Sequence, residues 1–195
     1  MVAKENLHTF SEYMDFVQRP ENADRRFELI DGEIKEMPPT LIRNSILASW
    51  FAVPFWDYID SHIMAVSAPK AIYKITESNA FQPEMGLIAK ARMGGWEGIE
   101  FPVAPELAVE VISPSEGPRD VVRKAQTYLQ AGTKVVLAVF SDERLIDVYR
   151  LNTDGTVLIN TLRDNAELTL DDVLPRFKVN LDKLFSVLDR LPTTK

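Results

Sequence analysis

Residues 105–140, "PELAVEVISPSEGPRDVVRKAQTYLQAGTKVVLAVF", hold the pattern that decides the fold. The run from Leu107 to Ile112 reads as a buried strand, broken by one carboxylate, Glu110. Pro118 suits the first turn of a helix, where its missing N–H costs nothing, and Gly132 suits the end of one. Along that helix Val121, Val122, Ala125, Tyr128 and Leu129 form one apolar arc at about 100° per residue. A second apolar strand, "KVVLAVF" (134–140), follows. A strand, a helix and a strand in this order favour a parallel pair inside a mixed α/β sheet covered on its faces by helices.

On the N-terminal side, "TFSE" (9–12) has the Thr and Glu spacing of a capping box and opens a short helix to about Gln18. In "RRFELIDGEIKEM" (25–37), Asp31-Gly32 supplies the positive φ angles of a two-residue hairpin. Leu47, Trp50, Phe51, Phe55 and Tyr58 recur at helical spacing, which predicts an amphipathic helix disturbed near Pro54. "IMAVS" (63–67), "AIYKI" (71–75) and "MGLIA" (85–89) read as short strands, and "RMGGWEGIEFP" (92–102) as a loop and candidate mobile flap. Beyond Phe140, "RLIDVYR" and "TVLINTL" add strands, and Asn180 caps a closing helix. No composition shift marks a second unit, so residues 1–195 are taken as a single domain, long enough for a real core.

The formal net charge of -7 argues against indiscriminate binding to nucleic acid, though a local basic surface is compatible with it. The absence of cysteine removes disulfides, thiol nucleophiles and thiolate metal sites. His8 and His62 are too few for an imidazole-built zinc site, so any metal is expected to be a hard cation held by oxygen. The opening "MVAKENLHTF" lacks an apolar signal core, and "LASWFAVPFW" is about half the length of a membrane helix. The expected location is the cytoplasm, without a membrane partner.

An unpaired buried carboxylate is costly, so Glu110 is expected to be protonated, hydrogen-bonded, paired with a cation or bound to a metal, unless it reaches solvent near the strand end. Lys124 borders the apolar arc, where its stem could carry an ammonium toward Glu110; on periodicity alone an exposed pair with Asp120, four residues earlier, is the favoured account. Glu84, after Pro83 in "FQPEMGLI", could be a solvated strand end. Glu28 lies opposite Lys35 in the hairpin, so a cross-strand ion pair explains it without chemistry.

The order of the segments resembles a known family. "RFELIDGEIKEMPP", "PEMGLIA", "PELAVEVISPS", "RDVVRKAQTYLQAGTKVVLAVF", "RLIDVYR" and "LTLDDVLPRFKVNLDKLF" look like successive signatures of the Uma-type family of putative restriction endonucleases, from about Arg26 to Phe185. That family is similar to the PD-(D/E)XK nucleases. The resemblance implies a restriction endonuclease-like α/β core, with a mixed central β-sheet flanked by α-helices, an N-terminal helix and a β-hairpin. Glu84 takes the place of the Asp in the "PD" motif, Glu110 matches the Glu of "EVLSPS", and Glu28 matches the acid of "YELIDGE". The wider superfamily has a Lys two positions after the Glu; here Ile112 stands there, and Lys124 takes the role, as in the Uma-type pattern.

By that resemblance, Glu84 and Glu110, with the backbone carbonyl of Val111, hold Mg²⁺, with Mn²⁺ as an alternative ion. Lys124 orients the attacking water, and Glu28 binds a second ion or positions the first. The implied reaction is hydrolysis of a DNA phosphodiester, with DNA as partner and a homodimer left open. Two departures matter: Asn44-Ser45 replaces a common "HG", and Glu84 carries its carboxylate one methylene further out than Asp, against the tight octahedron of Mg²⁺. Two alternatives stay open. One is a catalytically lapsed member acting as a dimeric binding module; the other is a phosphodiesterase for small nucleotides, which suits the acidic surface better.

Overall fold

A computed structural model describes residues 7–59, 64–66, 71–93, 97–114 and 116–192. Thr9 and Glu12 close the capping box: the Glu12 N–H donates to Thr9 Oγ1 (3.3 Å) and the Thr9 N–H to Glu12 Oε2 (2.8 Å), which starts α1, Phe10–Val17. The hairpin β1 (Phe27–Ile30) and β2 (Glu33–Glu36) turns at Asp31 and Gly32, with φ of 52° and 87°. The helix α2, Ile42–Ile59, continues through Pro54. Full burial of Leu47, Phe51 and Phe55, at roughly 1.5–3 kcal/mol each, offsets the roughly 3 kcal/mol an interior proline costs. Trp50 and Tyr58 lie at the margin of that face and donate to the carbonyls of Lys183 (3.2 Å) and Pro175 (3.0 Å).

Four short strands follow: β3 (Met64–Val66), β4 (Ile72–Thr76), β5 (Asn79–Phe81) and β6 (Met85–Ala89). The segment expected as a flap lies partly outside the described residues, at 94–96, and its end is not loop: Glu100–Phe101 form β7, parallel to β4. The predicted unit comes next as β8 (Leu107–Val111), α3 (Pro118–Gln130) and β9 (Val135–Phe140), with β8 and β9 parallel in the register Leu107↔Val135 to Val111↔Val139. Val122 leaves the expected arc and is 37% exposed, because Val121, Ala125, Tyr128 and Leu129 fill the contact. The chain ends through β10 (Leu145–Leu151), β11 (Val157–Leu162), β12 (Glu167–Thr169), β13 (Lys178–Asn180) and α4 (Leu181–Phe185).

Strands β1 to β11 divide between two mixed sheets. Six strands run in the order β11-β10-β9-β8-β6-β3, five in the order β2-β1-β5-β4-β7, and β12 pairs with β13. Along β8 the side chains alternate between two cores. Leu107, Val109 and Val111 join the core containing α2 and α4, while Ala108 and Ile112 join the core of α3 and the smaller sheet. Glu110 has the parity of Ala108, and so faces α3. No described helix is long and apolar enough to cross a membrane.

Candidate active site

Strands β6 and β8 are antiparallel, with Met85 opposite Val109. One residue further in that register Glu84 stands beside Glu110, and like charges so placed repel. A cation from α3 answers them: Lys124 Nζ lies 2.9 Å from Glu28 Oε1 and 3.1 Å from Glu110 Oε1. Neither surface pairing considered from sequence is formed. Asp120 is bound by Arg123 at 3.2 Å, leaving Lys124 to the interior. Glu28 is in register with Lys35, but its carboxylate is buried and turned to Lys124, while the exposed Lys35 takes Glu33 at 2.9 Å.

Further donors hold the acids in place. The Gln82 N–H donates to Glu28 Oε1 (2.9 Å), the Val111 N–H to Glu84 Oε2 (3.0 Å) and the Tyr128 hydroxyl to Glu110 Oε1 (2.8 Å). Arg26 Nη2 donates to the Gln82 carbonyl (3.0 Å), and its Nη1 is 3.9 Å from Glu84 Oε1. A cavity of about 70 Å³ is lined by Arg26, Glu28, Glu84, Glu110, Val111 and Lys124. It adjoins a groove of about 440 Å³, and Arg26, Thr40 and Glu84 line both. The four side chains singled out from sequence thus meet around one cavity, with Val111 in its wall.

Burial sets the protonation states here. It pushes the Glu110 carboxyl up to about 8, opposed by Lys124 and reinforced by Glu84 and Glu28. Burial likewise raises Glu84, against the Val111 N–H and Lys124. For Lys124, burial alone would lower the pKa, but Glu110, Glu28 and Glu84 outweigh it and raise it, so the ammonium stays charged. The cavity therefore holds a fixed cation among acids that do not all ionise at neutral pH.

Among the described residues, no three acidic, histidine or cysteine side chains are arranged to hold a metal ion between them. Glu84 and Glu110 line one polar cavity, and two carboxylates are what an ion that keeps several of its waters, such as Mg²⁺, would use there. Three further residues escaped the sequence reading as members of the site. Tyr128 belongs to the apolar arc, and its position four residues after Lys124 puts both on one helix face. Arg26 lies two positions before Glu28, so strand periodicity could have placed it on the same side. Asn44, noted only as a departure, is buried in the cavity wall and accepts a hydrogen bond from Ser141 Oγ (2.9 Å). For Asn44 the local sequence offers no comparable signal.

Mixed sheets flanked by helices, with acids and a lysine gathered between them, put the molecule in a nuclease-like class of fold. A protein from Anabaena variabilis, described as a putative nuclease belonging to DUF820, has a crystal structure of the same fold, with a TM-score of 0.77 at 19% identity, covering 92% of this chain and 98% of that one. The family model of Uma2, described as putative restriction endonuclease, matches residues 13–182, and the chain belongs to that family. No curated protein matches the sequence.

Proposed function

We propose that this protein is a metal-dependent endonuclease that hydrolyses DNA phosphodiester bonds. The observation that best supports this reading is the meeting of Glu84, Glu110 and Lys124 around one cavity, with Lys124 held charged between Glu28 and Glu110. Glu84 and Glu110 would hold Mg²⁺ or Mn²⁺, with the Val111 carbonyl as a third oxygen. The ion, when bound, supplies a polarised phosphoryl group and a water of lowered pKa.

The chain's own groups then have separable tasks. Lys124 orients the attacking water and offsets negative charge gathering on the phosphoryl oxygens. Glu28, bound by Lys124 and the Gln82 N–H, fixes where that amine points. Tyr128 holds one oxygen of Glu110, which leaves the carboxylate a restricted orientation toward the cavity.

Incubation of the purified protein with supercoiled plasmid and Mg²⁺ or Mn²⁺ tests the proposal. Nicked and then linear DNA is expected from the wild type, and none from Glu110→Gln. Intact plasmid after incubation with folded wild type and with Glu84→Asp, neither binding metal by calorimetry, would favour the interaction-module reading instead.

A further inference from the structure

Among the described residues, three cations line the cavity and the groove: Arg25, Arg26 and Lys124. Two of them are neutralised at hydrogen-bonding distance. Lys124 lies between Glu28 and Glu110, and Arg25 forks onto Glu36 through Nε (2.9 Å) and Nη2. Arg26 differs. The carboxylate it approaches, Glu84, is 3.9 Å from Nη1, beyond a hydrogen bond, and its Nε is buried with no hydrogen-bond partner among the described residues. The buried Nε is closed to a ligand, so an anion would be met at the terminal nitrogens, and a planar guanidinium is the side chain best matched to a phosphate.

The rest of Arg26 is anchored: Nη2 donates to the Gln82 carbonyl (3.0 Å) and Nη1 to the Thr40 hydroxyl (3.2 Å). Those bonds set the guanidinium at the border between the cavity and the larger groove, since its residue lines both. We infer that Arg26 is a substrate-binding residue that grips a phosphate flanking the scissile one, and so seats the nucleic-acid backbone running from the groove into the cavity. The inference rests on the nuclease reading above. Between turnovers the same guanidinium screens Glu84; a bound phosphate supplies the close anionic partner it lacks.

A plain structural role, tying β1 to Gln82 and Thr40, predicts something different. The test is anisotropy of a fluorescein-labelled DNA duplex at several salt concentrations, with Ca²⁺ in place of Mg²⁺, beside plasmid cleavage in Mg²⁺. Arg26→Gln keeps an amide donor without the charge. It should weaken binding several-fold, raise KM more than it lowers kcat, and reduce the slope of log affinity against log salt by about 0.9, the share of one phosphate contact. Arg26→Lys should restore the slope and leave affinity below wild type, because an ammonium lacks the fork. If Arg26→Gln does not fold, wild-type affinity in Arg26→Lys overturns the inference. Should wild type cut DNA while folded Arg26→Gln matches its affinity and slope, the Arg26 inference alone falls. If wild type neither binds nor cuts the DNA, the nuclease reading falls and takes the inference with it.

Discussion

At the scale of single residues, Glu84 is where an altered enzyme separates from a lapsed one. Glu84→Asp shortens the carboxylate to the length that the octahedral ion favours and is expected to retain or raise Mg²⁺-dependent cleavage. Lys124→Met should slow kcat by at least about 10²-fold, as loss of a positioned acid–base or charge-stabilising group does, with metal affinity by calorimetry nearer to wild type. Glu110 also makes folding pH-dependent. Its folded pKa, about 8, lies above the ordinary 4.5, so between those values the folded protein keeps a proton that the unfolded chain has released. Stability of the metal-free protein therefore falls as pH rises through that window. Urea denaturation at several pH values should show a shallower decline for Glu110→Gln, which cannot ionise; equal slopes would assign the effect elsewhere. Tyr128→Phe removes a bond that favours the carboxylate, and a carboxyl NMR titration should find Glu110 raised further.

At the scale of elements, the site depends on how closely the strands of the two sheets approach. A Cβ on Gly86 of β6 would collide with the ring and hydroxyl of Tyr73 of β4, which itself stacks on Phe101 at 4.7 Å. Gly86→Ala should cost about 1–3 kcal/mol in urea denaturation, the range for overpacking a filled core. Its effect on cleavage should exceed what the lost stability explains, because Glu84 is two residues away on the same strand segment. The elements themselves were largely legible. The capping box at Thr9, the Asp31-Gly32 turn and the strand-helix-strand unit each depend on contacts within a few residues or on one period of apolar positions. Where the reading failed, a distant partner intervened: β7 is ordered by pairing with β4, and α2 passes Pro54 because its buried face holds it.

At the scale of the whole molecule, the site is assembled from the smaller sheet through Glu28, the larger sheet through Glu84 and Glu110, and α3 through Lys124. A ligand held by such a site must stabilise the entire fold. Mg²⁺ at about a hundred times its dissociation constant should stabilise wild type by about 2.7 kcal/mol, read as a rise in melting temperature that EDTA reverses and Glu110→Gln abolishes. No shift in wild type would count against Glu84 and Glu110 as ligands. By itself, the sequence determined the local elements, the parallel unit and, through the order of its motifs, the family and the four side chains worth following. Only the tertiary structure decided what those side chains meet. Glu28 and Lys124 are 96 positions apart, and whether Glu28 pairs with Lys35 on the surface or Lys124 in the interior depends on how the smaller sheet packs against α3. Spacing along the chain encodes which face a residue occupies; it carries no record of which distant face will be packed against it.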